Sequence, residues 1–262
     1  MKMKNQTSEY QLTIVVPVYN EEDNIANLSQ RLADYLPKAS VSACVLMVDD
    51  GSSDRSLELM RGECKSRPHF YYISLAKNSG LSAALKAGID HAESEYVGYI
   101  DADLQTDPED FNLLLAHAKD HELVTGIRAN RKDSVFKKLQ SKIANSFRRM
   151  MTGDGVQDTG CPLKVMHTAN ARKIPFFTGL HRFLPAMILM QGGRIKQVPV
   201  RHYPRMAGVS KYHLWNRLKG PFMDCFAYRW MKKRYIDYEV KEESLPPTPC
   251  GLPPAPSHKE GE

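Results

Sequence analysis

Short apolar runs alternate with segments of helical periodicity along the first half of this 262-residue chain. The run Leu12–Val18 is rich in β-branched residues, a composition typical of a strand buried on both faces of a parallel sheet. Between residues 21 and 36 the apolar residues recur every three or four positions, on one face of a helix. The alternation continues through residue 125. The predicted strands are Leu12–Val18, Cys44–Val48, Phe70–Leu75, Tyr96–Ile100 and Glu122–Thr125.

This alternation predicts an α/β fold, a doubly wound and mainly parallel sheet with helices on both faces. The helices predicted between the strands are Glu21–Tyr35, a helix that Asp54 caps, Leu81–His91 and a helix from Pro108 to His117. The second half of the chain has longer helices and fewer strands. Its predicted elements are the helix Ser134–Met151, the loop Gly153–Pro162, the helix Phe183–Gln191, the strand Arg194–Val200 and the helix Tyr212–Tyr235, which Pro221 kinks or interrupts.

Composition divides the chain into four parts. Residues 1–11 are polar and form a flexible N-terminus, and residues 12–211 form one large domain. Residues 212–243 form a basic, amphipathic helical segment. From residue 244 to residue 262 the sequence is rich in proline, and we expect this tail to be disordered.

The net charge of +6 conceals two strongly basic segments. Residues 128–150 hold eight Lys and Arg residues and one acidic residue, and residues 194–234 hold eleven and one. The remainder of the chain is therefore acidic. This asymmetry predicts that one side of the molecule faces an anionic ligand or surface. We do not predict nucleic acid as that ligand, because the sequence has no recognisable nucleic-acid-binding module.

Apolar runs and cysteines indicate where the protein works. No run approaches the roughly 18–20 apolar residues of a membrane-spanning helix, and residues 1–11 lack the apolar segment of a signal peptide. The five cysteines are odd in number, widely spaced and without a C-x-x-C motif. This pattern argues against a disulfide framework or a zinc site, and it favours a reducing, cytoplasmic setting.

Two carboxylates separated by one residue follow the fourth predicted strand, in the sequence Asp101-Ala102-Asp103-Leu104-Gln105. Ligands of open α/β sheets bind at the carboxyl ends of the strands. A D-x-D pair there can hold a hard divalent cation together with phosphate oxygens of a substrate, and Gln105 adds a neutral oxygen ligand. The alternative is a simple turn, because aspartate is common in turns and at helix N-termini.

Polar and acidic clusters also follow the first and second strands. They are Pro17-Val18-Tyr19-Asn20-Glu21-Glu22 and Val48-Asp49-Asp50-Gly51-Ser52-Ser53-Asp54. All three clusters should meet at one edge of the sheet, where their carboxylates repel each other unless a cation or hydrogen-bond donors satisfy them. Three capped helices would explain each motif singly, but not their shared position. The sequence contains no P-loop, no G-x-G-x-x-G motif after the first strand and no G-x-S-x-G elbow.

Together these motifs resemble the inverting glycosyltransferase family 2. The resemblance rests on V-V-P-V-Y-N-E-E, V-D-D-G-S-S-D, Asn78-x-Gly80 and D-A-D-L-Q, which follow one another in the family's order over roughly residues 12–215. Within the family the chain is most similar to dolichol-phosphate mannose synthase and to bacterial polyprenyl-phosphate glycosyltransferases. The resemblance implies the glycosyltransferase A-type fold, a nucleotide-diphospho-sugar donor and a divalent metal, Mg²⁺ or Mn²⁺.

The resemblance also assigns residues to the donor site. Asp101 and Asp103 match the family's D-x-D motif, and Asp103 and Gln105 match the metal ligands of its lipid-phosphate branch. Arg205 and Lys211 resemble a basic pair that closes over the donor diphosphate, where developing negative charge needs cations. The alternative for this pair is two exposed loop residues. The residues that match the nucleotide pocket are Pro17, Tyr19, Glu21, Val48, Asp50 and Asp101.

The acceptor side is assigned in the same way. Arg128 matches an arginine that contacts the acceptor phosphate, and Lys137 and Ser141 fall where the family has a second basic residue and a serine. The lysine in place of arginine leaves bidentate phosphate binding open there. Asp158 falls about where inverting relatives often have a base, so we count it with Asp103 as catalytic. Asp158 could instead orient the acceptor or structure its loop.

Other polar residues of this half are given lesser roles. His181 and Arg182 resemble a recurrent element near the family's acceptor site, although a lone histidine is more often structural. The basic residues Lys138, Arg148 and Arg149 are assigned to a solvated helix face.

The two basic helices, Ser134–Met151 and Tyr212–Tyr235, also carry apolar and aromatic residues. Such helices can lie in a membrane interface, where each Lys or Arg near anionic lipid contributes ~1 kcal/mol. Alternatively, their apolar faces pack on the domain and their basic residues face water. Because the inferred acceptor is a lipid, we predict peripheral attachment to the inner, cytoplasmic face of the membrane.

The sequence therefore predicts an inverting, metal-dependent hexosyltransferase of cell-envelope glycan synthesis. In this reaction the phosphate of undecaprenyl or dolichyl phosphate attacks the anomeric carbon of a nucleotide-sugar. One alternative keeps the fold but uses a saccharide or other non-lipid acceptor. Another is a catalytically silent subunit that docks to a membrane or a partner protein. The sugar, the nucleotide base, the lipid length, and any homo-oligomer or membrane-protein partner stay open.

Overall fold

A computed structural model describes residues 9–128, 146–203, 216–236 and 242. Seven strands of the described chain form one sheet. They are β1 (Leu12–Val18), β2 (Ala43–Asp49), β3 (Phe70–Ser74), β4 (Tyr96–Tyr99), β5 (Leu123–Arg128), β6 (Lys164–His167) and β7 (Ile195–Val200). Their order across the sheet is β3-β2-β1-β4-β6-β5-β7. All neighbours pair in parallel except β6, which is antiparallel to both β4 and β5.

Helices connect the strands in the described ranges. They are α1 (Glu22–Tyr35), α2 (Ser56–Ser66), α3 (Leu81–His91), α4 (Phe111–Leu115), α5 (146–152), α6 (Thr168–Arg172), α7 (Leu184–Met190) and α8 (Asn216–Arg234). Short 3-10 turns are formed by Leu36–Lys38, Pro108–Asp110 and Leu180–Arg182. Of the helices in these ranges, none combines the length and the apolar character that a crossing of the bilayer would need.

The side chains of β1 alternate between two cores, because successive residues of a strand point to opposite faces of the sheet. Ile14 packs in one core with Leu28 of α1 and Phe111 of α4. Val15 packs in the other core with Leu85 of α3, and α6, α7 and α8 cover the same face. These five side chains are completely buried, and burial of such apolar surface contributes about 25 cal/mol per Å². The predicted doubly wound α/β architecture is confirmed.

The five strands and the helices predicted for the first half are confirmed, and their ends agree within three residues except at α4. The helix predicted from Pro108 to His117 begins instead as the 3-10 turn Pro108–Asp110, and α4 ends at Leu115. The loop Gly153–Pro162, the helix α7 and the strand β7 are also confirmed. Only the last residues of the predicted helix Ser134–Met151 lie within the described residues, as α5. The terminal parts 1–8 and 243–262 lie outside them, so the domain bounds stay predictions.

The second half differs from the sequence expectations at two places. β6 was not predicted, because its four residues begin with a lysine, end with a histidine and lie outside the strand–helix alternation of the first half. The helix α8 continues through Pro221, so the predicted interruption is wrong, while a kink there stays a prediction. A proline near the start of a helix removes one backbone hydrogen bond, and the packing of Cys225 and Tyr228 in the core stabilises the turns that follow.

The carboxyl ends of β1, β2, β4, β5 and β7 lie at one edge of the sheet, because these strands run in the same direction. We call this edge the rim. Since β6 runs the opposite way, its first residue, Lys164, also lies at the rim, paired with Tyr99 and Thr125. The three polar and acidic clusters that follow β1, β2 and β4 therefore meet there, as the sequence predicted.

Candidate functional site

The D-x-D motif forms a tight turn directly after β4. Leu104 has a φ of 59°, in the left-handed region, and reverses the chain after Asp103. The Tyr99 hydroxyl donates to Asp101 Oδ1 at 2.6 Å, and Gln105 N donates to Asp103 Oδ1 at 3.2 Å. Burial, and then the neighbouring charge of Asp103, raise the pKa of Asp101 to about 6. The motif thus holds two interacting carboxylates, of which Asp103 is buried and Asp101 is partly buried.

Such a pair fits a divalent cation. Asp101 and Asp103 repel each other, and a cation between them would remove that repulsion. Carboxylate oxygens are also the ligands that Mg²⁺ and Mn²⁺ prefer. Within the described ranges, no three or more His, Cys, Asp or Glu side chains are grouped so as to hold a metal. The donor set that the rim offers is therefore the D-x-D pair, with Gln105 next to it in the same turn.

Asp50 joins the loop after β2 to the loop after β3. Its Oδ1 accepts from Ser79 N at 2.7 Å, and its Oδ2 accepts from Gly80 N at 2.8 Å. The two loops touch at Gly51, which has a φ of 67°, and a Cβ atom there would lie 2.5 Å from the carbonyl carbon of Lys77. Only glycine fits this approach. The V-D-D-G-S-S-D motif therefore shapes the rim through its own backbone contacts.

The loops after β1 and β2 interlock in the same manner. Ser53 N donates to Asn20 Oδ1 at 2.8 Å, and Glu21 N donates to Ser56 Oγ at 2.8 Å. These contacts hold two of the predicted clusters against each other. The predicted nucleotide-pocket residues that the structure brings together at these strand ends are Pro17, Tyr19, Glu21, Val48 and Asp50.

Arg128 and Asp158 form a bidentate ion pair at the rim. Arg128 Nε donates to Asp158 Oδ2 at 2.7 Å, and Arg128 Nη2 donates to Asp158 Oδ1 at 2.8 Å. The backbone N of Arg128 also donates to Oδ2, at 3.3 Å. Interaction with the Asp158 carboxylate raises the pKa of Arg128 although burial opposes it. The pair is mostly buried, and such planar, charge-assisted pairs are geometrically well defined.

Lys164 is a rim residue that the sequence analysis did not identify. Its side chain is almost completely buried, and its Nζ lies 5.6 Å from the centre of the Tyr99 ring. Burial lowers its pKa, while the carboxylates of Asp158 and Asp101 act in the opposite direction. The only signal in the sequence is a charged residue inside the apolar run Cys161–Met166, where an uncharged strand residue would be expected.

The D-x-D turn is also tied to the chain that follows β7. Tyr203 N donates to the Gln105 carbonyl at 2.9 Å, and His202 Nδ1 lies 3.0 Å from the same oxygen. Arg201 Nε donates to Asp110 Oδ1 at 2.8 Å, which anchors this segment to the turn before α4. A groove of about 750 Å³ beside it is lined by Lys38, Glu109, Asp110, Asn112, Leu113, Pro199, Val200, Arg201, His202 and Tyr203. No D-x-D residue lines this groove, so it is separate from the chemistry described above.

Four predicted site residues lie outside the described residues. They are Lys137, Ser141, Arg205 and Lys211. Arg205 follows the anchored Tyr203 by two positions in the sequence.

The assignment of Arg148 to a solvated helix face was wrong. Its guanidinium pairs with Asp154 and donates to the Val156 carbonyl at 2.7 Å, and both charged side chains are buried. Asp154 Oδ1 also accepts from Val156 N at 3.0 Å, so the pair closes the loop after α5. Helical periodicity could not reveal this partner, because Asp154 lies beyond the end of the helix.

His181 is held by α3 rather than presented to solvent. Its Nδ1 lies 3.0 Å from Ser82 Oγ, and its backbone N donates to the same oxygen at 3.3 Å. Burial, with the nearby charges of Arg182 and Lys164, lowers the pKa of His181 to about 3. The structural interpretation of this histidine is the one that its contacts support.

The helix α8 packs on the domain with one face and exposes apolar residues on another. Cys225 and Tyr228 are buried in the core. Phe222 stacks on Phe147 of α5 with ring centres 5.0 Å apart, yet about half of its surface is exposed. The last turn of α8 is basic. We call the exposed apolar group the aromatic surface; its residues are Met150, Phe222, Met223, Phe226 and Trp230.

The comparisons with known proteins agree with this geometry. A family model described as glycosyl transferase family 2 matches residues 13–176, which include every acidic cluster on the rim. The chain belongs to glycosyltransferase family 2. Its fold is the glycosyltransferase A-type fold, which it shares with solved structures of low sequence identity.

Two curated relatives of the family match most of this chain. Dodecaprenyl-phosphate galacturonate synthase from Rhizobium johnstonii is 34% identical over 208 residues, covering 77% of this chain and 62% of the relative. Undecaprenyl-phosphate 4-deoxy-4-formamido-L-arabinose transferase from Salmonella choleraesuis is 34% identical over 209 residues, with the same coverage. The match therefore spans about 62% of the length of these relatives.

Solved structures share the fold at lower identity. Mannosyl-3-phosphoglycerate synthase from Rubrobacter xylanophilus has a TM-score of 0.65 at 16% identity, covering 93% of this chain and 80% of that one. Glucosyl-3-phosphoglycerate synthase from Mycobacterium tuberculosis, crystallised with Mn²⁺, UDP and glucosyl-3-phosphoglycerate, has a TM-score of 0.62 at 14% identity. That match covers 90% of this chain and 86% of the other.

Proposed function

We propose that this protein transfers a monosaccharide from a nucleotide-diphospho-sugar to the phosphate of a polyprenol, with inversion at the anomeric carbon. The observation that carries the proposal is the Arg128–Asp158 pair, which holds a guanidinium at the same rim as the D-x-D carboxylates. A donor held at the D-x-D turn and an acceptor phosphate held by Arg128 would then meet at the sheet edge. The names of the two curated relatives, both polyprenyl-phosphate sugar transferases, support this acceptor.

Asp101 and Asp103, with Gln105, are the residues that would hold the divalent metal. When bound, Mg²⁺ or Mn²⁺ would neutralise the diphosphate and stabilise the charge that develops on the leaving nucleotide. Tyr99 keeps Asp101 oriented through its hydroxyl, and the Gln105 backbone keeps Asp103 oriented in the turn. The Mn²⁺ and UDP named for the mycobacterial structure support this use of the fold.

The residues at the ends of β1 and β2 would bind the nucleotide. Asp50 acts chiefly by holding the backbone at Ser79 and Gly80, so its contribution is to the shape of the pocket. Tyr19 is more than one-third exposed, and its ring would contact the base of the nucleotide. The full proposed set is Pro17, Tyr19, Glu21, Val48, Asp50 and Asp101, with Arg205 and Lys211 closing over the diphosphate.

Arg128, with Lys137 and Ser141, would bind the acceptor phosphate. Both oxygens of Asp158 accept from Arg128, so removal of a proton by Asp158 would have to compete with these hydrogen bonds. These contacts favour Asp158 as the group that orients Arg128 over Asp158 as a base. A phosphate monoester has its second pKa near 6, so the acceptor is mostly ionised at pH 7 and attacks without a strong base.

The aromatic surface would attach the protein to the inner face of the cytoplasmic membrane, where the acceptor lies. Exposed Phe and Trp side chains beside a basic last turn are the features of helices that lie in a membrane interface.

The test is transfer of radiolabelled sugar to undecaprenyl phosphate from a panel of nucleotide-sugars. We expect transfer from one donor with Mg²⁺ or Mn²⁺ and none with EDTA. The variant Asp103→Ala should lose about 10²–10³-fold in rate, the size of effect seen when a group that stabilises developing charge is removed. The exposed Asp120→Ala is the matched control and should keep full activity. The anomeric configuration of the product, read by NMR, should be opposite to that of the donor.

The other outcomes of this experiment identify the rival functions. Nucleotide binding without transfer to the lipid, but with transfer to a saccharide or a small phosphorylated acceptor, would establish a non-lipid acceptor. Absence of both transfer and metal-dependent nucleotide binding would leave a catalytically silent docking subunit.

A further inference from the structure

Lys164 combines complete burial with a position at the rim. Only 1% of its surface is exposed, and it is the first residue of β6, opposite Tyr99 of β4 and Thr125 of β5. Burial of an ammonium group is unfavourable unless polar partners surround it, so a lysine here needs a reason. Its neighbours in the two strands bring it between the D-x-D turn and the Arg128–Asp158 pair.

The contacts of Lys164 reach both of these groups. Its Nζ donates to the carbonyl of Cys161, and to the carbonyl of Thr159 at 3.4 Å. The same Nζ lies 5.6 Å from the centre of the Tyr99 ring, within the range of a cation–π interaction. The ammonium group of Lys164 therefore contacts the turn 158–161 on one side and the Tyr99 ring on the other.

Each contact continues to a proposed site residue. Tyr99 donates to Asp101 Oδ1 at 2.6 Å, which connects the ring to the D-x-D carboxylates. The turn from Asp158 to Cys161 is closed by Cys161 N, which donates to the Asp158 carbonyl at 3.4 Å. Asp158 in turn holds Arg128.

We propose that Lys164 is a positioning residue that sets the distance and orientation of the Arg128–Asp158 pair relative to Asp101, and so aligns the acceptor phosphate with the donor. The inference rests on the proposed function for its meaning in catalysis. Lys164 has no access to solvent and does not itself touch substrate. It acts through the turn 158–161 and through Tyr99.

A purely structural lysine would behave differently when it is replaced. Replacing Lys164 by methionine removes a buried charge, which favours the fold, and leaves the Thr159 and Cys161 carbonyls without their donor, which disfavours it. If Lys164 serves alignment, Lys164→Met should keep the fold while activity falls. If Lys164 only supports the fold, activity and thermal stability should fall together.

The experiment measures Lys164→Met, Lys164→Arg and wild type, with the exposed Lys119→Met as the matched control. For Lys164→Met we expect kcat/KM for undecaprenyl phosphate to fall by about 10–100-fold, the usual effect of losing a group that orients a site residue. The loss should lie mainly in the KM for the acceptor, with the Kd for the Mn²⁺–nucleotide changed less. Lys164→Arg retains the charge and should recover part of the activity, and Lys119→Met should match wild type.

A crystal structure of Lys164→Met gives a readout that needs no acceptor. We expect the turn 158–161 and Arg128 to move relative to Asp101, while the strands stay in place. Unchanged acceptor kinetics and an unmoved turn would overturn the inference, as would equal losses in both variants accompanied by a lower Tm. If wild type transfers no sugar to undecaprenyl phosphate, the proposed function fails, and the position of the turn in the variant decides the role of Lys164 by itself.

Discussion

The neighbours of Arg128 hold its guanidinium in one orientation. Asp158 accepts from two of its side-chain nitrogens, and the bare Cα of Gly160 faces its Nη2 atom. A Cβ atom at residue 160 would lie 2.9 Å from that nitrogen. Because the bidentate pair resists rotation, the arginine could not yield without breaking one of its two hydrogen bonds.

Gly160→Ala should therefore weaken acceptor binding without changing donor binding. The added methyl group displaces Arg128 from Asp158, and we expect the KM for undecaprenyl phosphate to rise by about 10-fold, equivalent to roughly 1.4 kcal/mol. Steady-state kinetics with each substrate varied in turn would measure this.

The control for this substitution is Gly62→Ala. Gly62 lies exposed in α2, where a Cβ atom would meet nothing within 4 Å, so its kinetics should match wild type. An unchanged acceptor KM in Gly160→Ala would mean that Arg128 is not held as the distances indicate.

At the scale of elements, hydrophobic periodicity was sufficient to predict β1 to β5 and the helices among them. β1, β2 and β4 are runs of mainly apolar residues that the sheet buries on both faces, as at Leu12–Val18. β6 was missed because it begins with the charged Lys164 and ends with His167, which does not look like a buried strand. In α8, Tyr228 packs on the domain, as one of the two sequence interpretations predicted, while Trp230 is 62% exposed and membrane contact stays a prediction.

The division of α8 into a packed face and an exposed face leads to a prediction about membranes. Replacing Phe222, Phe226 and Trp230 together by serine should leave the fold intact, because none of them belongs to either core, yet reduce binding to vesicles that contain phosphatidylglycerol. Aromatic burial in the interface contributes about 1.5–3 kcal/mol per side chain, so we expect at least a 10-fold loss. Sedimentation with vesicles would measure it.

Two comparisons make this vesicle experiment decisive. Tyr72→Ser, on β3 and similarly exposed, should bind vesicles as wild type does. Binding of wild type should also fall as salt is raised, because the last turn of α8 is basic. Equal binding of the triple variant and wild type would exclude the aromatic surface as the attachment site.

For the molecule as a whole, the sequence located the rim but not the contacts across it. The motifs that follow β1, β2 and β4 predicted a shared edge because the direction of parallel strands fixes where their ends lie. Periodicity could not predict that Arg148 pairs with Asp154, or that Arg128 pairs with Asp158. In each pair the arginine lies in a helix or strand, and the aspartate lies in the loop after α5. Lys137, Ser141, Arg205 and Lys211 lie outside the described residues and stay predictions.

The stability of the whole fold should depend on His181 at acid pH. The folded state lowers the pKa of His181 from 6.5 to about 3, so between these values the unfolded chain binds a proton that the folded chain does not. This histidine therefore reduces stability as pH falls below about 6.5, by about 1–2 kcal/mol at pH 5. Urea unfolding at pH 7.5 and pH 5 should give a larger acid loss for wild type than for His181→Gln.

The comparison of wild type with His181→Gln distinguishes a lowered pKa of His181 from an ordinary one. A glutamine cannot gain the proton, so the variant should become more stable relative to wild type on acidification, whatever other groups titrate in both. Parallel losses in the two proteins would mean that His181 titrates normally in the folded state.

Because β6 runs against its neighbours, the chain leaves the rim at Arg128 and returns to it at Lys164. Of the residues between them, the structure describes 146–163, and none of these pairs in the sheet. A change of chain length within that described part therefore leaves the register of β5 and β6 unchanged. Differences in length can thus accumulate next to Arg128 and Lys164, while the half of the chain that carries the D-x-D turn keeps its geometry.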